Sequence, residues 1–297
     1  MDRIISLNAF GCPRTSLESH FKHSKTSEEK RKKRIFHTCG LFPNASFINH
    51  SCNSNARRSF IGDMQIVRAT RNLPANAEIT FWYRGPDPML SYQQMQDRFG
   101  NWGFICTCCI CEHTRTTPKK DLTKRKGLLR DLEDAFSERP AANLAKAERL
   151  LAAIEKTYTV PASTVPRLTL WDPYLLLTRF YSAQENSLKT IETAYKVLES
   201  LGYVFKRADS TSLTSTFEVQ TWGLMQDCVI ETWVHIWIAG YAAGASAMGK
   251  QAKEYAKTAY KIVVGEDKTF GERYGKLGHR AMFEGADLVE AFQSMNF

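Results

Sequence analysis

The sequence predicts an α+β chain: β-rich and cysteine-bearing over 1–118, then all-α over 119–297. Three observations carry that prediction. Short apolar runs broken by turn residues dominate the first part. Four of the eight cysteines fall between 106 and 111. Helical apolar stripes take over after Thr116-Thr117-Pro118-Lys119-Lys120. With 297 residues, 43% of them hydrophobic and 24% charged, the chain is long enough for about two domains and a sizeable core. Collagen-like, disordered and small disulfide-scaffold classes are excluded by that composition.

Asp63 to Ala69 alternates as a half-buried strand does, and Asn72-Leu73-Pro74-Ala75-Asn76 breaks it. Glu78 to Tyr83, rich in β-branched and aromatic residues, reads as a second strand that Gly85-Pro86-Asp87-Pro88 ends. Later, Leu144, Ala147, Leu150, Leu151 and Ile154 share one helical face. Asp172-Pro173 is expected to start a helix, with Asp172 as the N-cap and Pro173 at the first helical position. Leu188, Ile191, Tyr195 and Leu198 form another stripe, which Gly202 can stop. Trp222 to Met248 is the most apolar stretch, but Asp227, Glu231 and His235 interrupt it, so it reads as a buried helix and not a membrane span. Ala252 to Val263 repeats the pattern and ends at Gly265. The tetrapeptide Thr-Ala-Tyr-Lys stands at both 193–196 and 258–261, close to two lengths of a helical-hairpin repeat of about 34 residues. A stack of helical hairpins resembling tetratricopeptide repeats (TPR-like) is therefore expected, its Tyr and Trp stripes forming core.

The formal charge of +9 is concentrated early: residues 1–40 hold nine Lys/Arg against four Asp/Glu. The run Lys30-Arg31-Lys32-Lys33-Arg34 suits a solvated loop, or a contact with an import receptor. It lacks interleaved aromatics for base stacking, so direct nucleic-acid binding is not expected. No secretory signal opens the sequence, and an intracellular location, nucleus or cytoplasm, is expected. Cysteines packed as Cys-Thr-Cys-Cys-Ile-Cys cannot easily bridge one another. They suit a tetrahedral soft-metal site, zinc by default, or else a turn of reduced thiols. Such a loop supplies about three ligands, leaving a fourth to come from elsewhere.

Three motifs follow in order: Asn49-His50-Ser51-Cys52-Asn53-Ser54-Asn55, Glu78-Ile79-Thr80-Phe81-Trp82-Tyr83, and Trp102-Gly103-Phe104-Ile105-Cys106-Thr107-Cys108-Cys109-Ile110-Cys111. Singly they could be a polar turn, a strand aromatic and a metal knuckle. Together they resemble the C-terminal half of the SET domain, the protein-lysine methyltransferase fold, with its post-SET segment. The helical tail makes SET-and-MYND and fungal-type SET proteins the nearest likenesses. The match spans about residues 1–115 and is strongest over 40–111.

The resemblance implies roles. Asn49 and His50 match the pair that binds S-adenosylmethionine, and Tyr83 matches the tyrosine whose hydroxyl lines the methyl-transfer site. Cys52 matches the remote fourth zinc ligand, with Cys106, Cys108 and Cys111 the other three and Cys109 spare. Trp102 and Phe104 match the aromatics that pack on the cofactor's adenine, and Asn8 the asparagine before the central insert. In that fold the Asn-His block threads beneath a loop, a rare arrangement. Methyl transfer to an amine depends mainly on in-line positioning. A narrow aromatic channel lowers the lysine pKa, so that the lysine attacks as a neutral amine.

The sequence departs from the family in two ways. No Gly-x-Gly loop precedes the Asn-His block, where only Gly11 and Gly40 occur, and Cys12 and Cys39 are too few for a MYND metal site. Residues 11–39 read instead as a basic insertion, expected to be disordered. The expectation is thus a partial SET domain with a post-SET zinc segment, followed by the helical domain. It acts on protein lysines, of histones or other proteins, with further protein partners on the helices and no membrane contact. The competing expectation is a truncated or degenerate SET-derived interaction scaffold.

Overall fold

The structure is a computed structural model that describes residues 5, 7–12, 38–138 and 143–275. The basic run 30–34 and most of the expected insertion lie outside the described residues, as do residues 276–297. Four two-stranded sheets and nine complete α-helices are present among the described residues, with further helical residues at 5, 7–8 and 270–275.

β1 (Ala9–Cys12) pairs antiparallel with β2 (Thr38–Leu41). The expected insertion is therefore narrower than 11–39, because Gly11, Cys12, Thr38 and Cys39 belong to strands. α1 (Pro43–Ser46) starts on a proline in its first turn, where the missing N–H costs nothing. β3 is only Asn49–His50, and it pairs in parallel with β6 (Thr80–Phe81). The strand expected over 78–83 is thus cut to two residues. The strand expected over 63–69 exists as β5 (Met64–Ala69), but its partner is β4 (Ala56–Ile61). The two are joined through Gly62-Asp63, with Gly62 at φ +60°. A glycine at the first of two turn positions is the tight-hairpin signal that marks β4 in the sequence.

α2 (Tyr92–Asp97) opens on a capping box. Ser91 Oγ accepts from the Gln94 N–H, and the Gln94 side chain accepts from the Ser91 N–H. A 3₁₀ turn at Gly100–Trp102 and α3 (Cys109–Thr116) follow. Next come α4 (Lys119–Glu138), α5 (Leu144–Glu155), α6 (Trp171–Ala183), α7 (Ser187–Ser200), α8 (Cys228–Ala242) and α9 (Ser246–Val264). In α5, Ala147, Leu151 and Ile154 are buried, as the stripe requires. In α7, Ile191, Tyr195 and Leu198 are buried, while Leu188 is exposed at the first turn.

α6 begins at Trp171, one residue before the expected cap. Asp172 therefore sits inside the first turn, and Pro173 is tolerated because first-turn N–H groups have no helical acceptor. The apolar stretch 222–248 is helical over α8, which is buried on almost every face, and again from Ser246, where α9 begins. Gly265, at φ +98°, caps α9. Its carbonyl accepts from Arg68 of β5 at 3.0 Å, and a Cβ there would stand 2.7 Å from Ser59 Oγ, so α9 ends against the β4–β5 hairpin.

The C-terminal part is not all-α. β7 (Val204–Arg207) and β8 (Phe217–Thr221) form an antiparallel hairpin between α7 and α8. Phe205 and Phe217 turn inward onto Tyr195 and Trp233, and that burial favours two short aromatic strands over another helical turn. The helices do pack as consecutive pairs, α6 on α7 and α8 on α9, each joined by a short loop. The repeated Thr-Ala-Tyr-Lys falls on α7 and α9, the second helix of each pair, and both tyrosines are fully buried. One hydrophobic core runs from the Cys52 region through α2 and α3 into all the later helices.

Candidate active site and cysteine cluster

The site is assembled from three segments that the β3–β6 pairing and α2 bring together. Asn55, immediately before β4, accepts from the Thr80 N–H through Oδ1 at 2.8 Å and donates through Nδ2 to the Glu78 carbonyl at 2.8 Å. Its main-chain N–H donates to the Thr80 carbonyl. One asparagine thus stitches the Asn-His segment to the Tyr83 segment. The Trp82 indole adds a bond, donating to the Cys52 carbonyl at 2.9 Å.

Tyr83 follows β6 directly. Its hydroxyl donates to the Ile48 carbonyl at 2.9 Å, one residue before Asn49. The Tyr83 N–H donates to His50 Nδ1 at 3.1 Å. A backbone N–H can only donate, so Nδ1 is the bare nitrogen and Nε2 carries the ring proton. That proton points at Cys52 Sγ, 3.4 Å away. Both nitrogens of the His50 ring are therefore committed within the protein. Asn49 donates to Glu78 Oε1 at 2.7 Å and is exposed.

An aromatic wall closes round these residues. The ring of His50 lies 4.4 Å from that of Phe99 and 5.7 Å from that of Phe104, and Phe99 stacks on Phe104 at 5.2 Å. Tyr83 is 5.4 Å from Trp102 and 6.0 Å from Phe104. The Trp102 indole donates to the Leu7 carbonyl at 3.0 Å, which brings Asn8 and the start of β1 to the same wall. Burial pushes the Tyr83 phenol up, partly opposed by the Arg58 charge. Arg58 lies between the Phe10 and Phe81 rings, at 5.2 and 5.0 Å, and donates to the Trp82 carbonyl; burial pushes it down to about 10.

Cys52, Cys106, Cys108 and Cys111 place their sulfurs within 4.8 Å of one another, a set that could hold a metal ion. Cys52 Sγ is 4.0 Å from Cys106 Sγ and 3.6 Å from Cys111 Sγ. A tetrahedral ion with bonds of about 2.3 Å to sulfur separates its ligands by about 3.8 Å, so the donor set fits such an ion. Thiol hydrogen bonds from Cys106, Cys108 and Cys111, with burial, push the Cys52 thiol far up. Cys106 is driven the other way by its bonds with Cys108 and Cys111. Gln96 of α2 holds Cys106 in place: Oε1 accepts from its N–H at 2.8 Å and Nε2 donates to its carbonyl at 3.2 Å. Cys109 stands outside the quartet and accepts from Asn53 Nδ2 at 3.2 Å.

The structure thus brings together Tyr83, His50, Trp102 and Phe104, sets Asn49 and Asn8 at the edge, and gathers the four cysteines. Sequence reasoning missed Phe99, Gln96, Asn55 and Arg58. The Asn55 side chain could have been read from the motif itself, whereas the others act through contacts distant in sequence.

The SET-domain family profile matches residues 13–84, of which 13–37 lie outside the described residues. A Gibberella zeae protein named methyltransferase is 37% identical over 277 residues, 92% of this chain. The chain thus carries a SET-domain match and is similar to a protein named methyltransferase. Two further relatives match more locally. Mus musculus protein-lysine N-methyltransferase SMYD4 is 33% identical over 78 residues, 26% of this chain and 10% of that protein. Arabidopsis thaliana histone-lysine N-methyltransferase ASHR1 is 33% identical over 93 residues, 31% of this chain and 18% of that protein. The chain spans only 38% of the length of the Gibberella zeae relative. Among the described residues no helix is long and apolar enough to cross a membrane.

Proposed function

We propose that this protein transfers methyl groups from S-adenosylmethionine to lysine side chains of protein substrates, histones or others. The observation that carries the reading is the Tyr83 hydroxyl seated on the Ile48 carbonyl, beside Asn49-His50 and walled by Trp102 and Phe104. When bound, S-adenosylmethionine supplies an electrophilic methyl on a sulfonium.

The protein's residues do the rest. Tyr83 spends its proton on Ile48, so its oxygen keeps lone pairs to orient an amine. Burial keeps the phenol neutral. The aromatic wall excludes water, and a lysine entering it loses its proton more readily. Asn49, Asn8 and the His50 main chain would hold the cofactor, and Trp102 and Phe104 would offer flat faces to adenine. The His50 ring would serve instead to tie Tyr83 to Cys52.

In the same reading Cys52, Cys106, Cys108 and Cys111 hold a zinc ion. Four thiolates leave no open position, so the ion would be structural. Residues 1–118 and 119–297 would be two domains sharing one core, with the paired helices forming a TPR-like platform for partner proteins. Two relatives named for histone lysine, from Arabidopsis thaliana and Meyerozyma guilliermondii, support action in the nucleus or cytoplasm.

One observation favours the scaffold reading: the side chains of His50, Trp102 and Asn49 already spend polar groups on protein partners. Calorimetric titration with S-adenosylmethionine, paired with a radiolabelled methyl-transfer assay on histone and cell-extract proteins, separates the two. Binding together with transfer that Tyr83→Phe abolishes supports the enzyme. Absence of binding supports the scaffold. Tyr83→Phe removes one hydrogen bond, so it should lower stability by only about 1 kcal/mol.

A further inference from the structure

Away from the aromatic wall, a cavity of about 330 Å³ opens where α2 and α3 meet α4 and the loop before α6. None of Asn49, His50, Tyr83, Trp102 or Phe104 lines it, although Cys111 reaches its floor. Met95, Ile110, Leu122 and Leu129 make the interior apolar. The charged lining is Lys119, Arg125 and Lys126 against Asp87 alone. Asp87 is turned to its own loop, where Oδ1 accepts from the Met89 N–H at 2.9 Å.

Arg125 is the unusual member. It is only 7% exposed. It donates to Thr157 Oγ1 at 2.9 Å and to the Thr157 carbonyl at 3.0 Å, and lies 3.6 Å over the Tyr158 ring. Among the described residues no carboxylate reaches it within ion-pair distance; Asp121, one turn earlier in α4, acts on it only through space. Arg167 stands 5.4 Å from the same ring and keeps a buried Nε without a partner. Neutral acceptors and a ring face compensate a buried guanidinium only in part. The region therefore holds surplus positive charge around an apolar hole.

The spacing of the cations narrows the ligand. Lys119 and Lys126 are seven residues apart on α4, about 10 Å along the axis. Two separate carboxylates match that spacing better than one. Carboxylates four residues apart on an extended peptide share a face and span about 13 Å, within reach of flexible lysine stems. The volume lies at the small end of ligand sites, with room for a large apolar side chain and part of its flanking backbone.

We propose that this cavity is a docking pocket for an acidic peptide segment carrying one leucine- or phenylalanine-sized side chain. The apolar side chain would fill the hole, and the flanking carboxylates would meet Lys119, Arg125 and Lys126.

The test is calorimetric titration of the full chain with acetyl-Glu-Glu-Leu-Glu-Glu-amide. Controls are the same peptide with Ser for Leu, the peptide with Lys for every Glu, and sodium octanoate. Saturable binding of the acidic leucine peptide is expected, weaker by about tenfold or more with Ser and absent with Lys. Lys126→Glu should weaken it by about tenfold or more and Lys126→Arg should restore it, both with unchanged circular dichroism. Equal binding of the acidic and basic peptides overturns the proposal, as does an unaffected Lys126→Glu variant or no binding at millimolar peptide. Binding of octanoate alone would mark a site for small amphiphiles and overturn it equally. No methyl donor enters the measurement, so its outcome is independent of the methyl-transfer assay.

Discussion

The cysteine-bearing half and the helical half hold together by different means. In the first, pairing is sparse: every sheet among the described residues has two strands, and the β3–β6 pair that builds the site is two residues long on each side. Its shape depends on single polar contacts, from Asn55, Trp82, His50 and Gln96, and on four converging sulfurs. In the second, Trp233, Trp237, Tyr195 and Tyr260 are completely or almost completely buried among packed helices. Apolar area carries most of the stability there. A small β-rich region with little interior must be pinned, whereas a large helical one need only be filled. The proposed methyl-transfer site sits on the pinned half, where directed bonds to Ile48 and His50 hold Tyr83.

The largest test of this contrast is metal removal. If the sulfurs hold a zinc ion, elemental analysis should find about one per chain. Chelation or Cys52→Ser should then unfold the site region at a cost of order 10 kcal/mol, leaving the helical circular dichroism largely in place. Loss of both halves together would break the distinction. A packing change should do the reverse. Trp233→Ala opens a cavity against Phe217 and Tyr255 and should cost about 4 kcal/mol, read as a lower midpoint of denaturant unfolding, with the metal content unchanged.

The smallest test concerns the ion pair that Arg179 makes with the buried Glu231. Glu231 accepts from Arg179 Nη2 at 2.7 Å and lies 3.6 Å from His235 Nε2. Burial alone would raise its carboxyl, but bonds from Arg179 and then His235 bring it from 4.5 down to about 2. A carboxyl depressed on folding stabilises fully above its unfolded value. Stability should therefore be constant above about pH 4.5 and fall as pH drops towards about 2. Glu231→Gln should cost about 3 kcal/mol at neutral pH and remove that contribution to acid sensitivity, measurable by denaturant midpoints at several pH values.

Much of the site was legible before any coordinates. The Cys-x-Cys-x-x-Cys spacing signalled a thiol cluster because ligand chemistry constrains spacing directly. Asn49-His50 and Tyr83 were legible through a family pattern, not through periodicity. Phe99 and Gln96 were not, since nothing in a local window distinguishes a phenylalanine that supports a histidine from any other core aromatic. The β7–β8 hairpin was missed for a related reason. Val204 to Arg207 is too short for alternation to outweigh the helical stripes on either side.

By itself the sequence determined the composition of the two halves, the helical stripes of α5, α7 and α9, the glycine stops, and which cysteines were spaced to share a ligand. These are local properties, written in neighbours a few residues apart. Tertiary structure alone decided that Asn49-His50 would run parallel to Thr80-Phe81, that β5 would pair backwards with β4, and that Arg125 would be buried beside a cavity with no ion-pair partner among the described residues. Those outcomes depend on contacts between segments tens of residues apart, where burial and hydrogen-bond satisfaction, not local propensity, set the free energy.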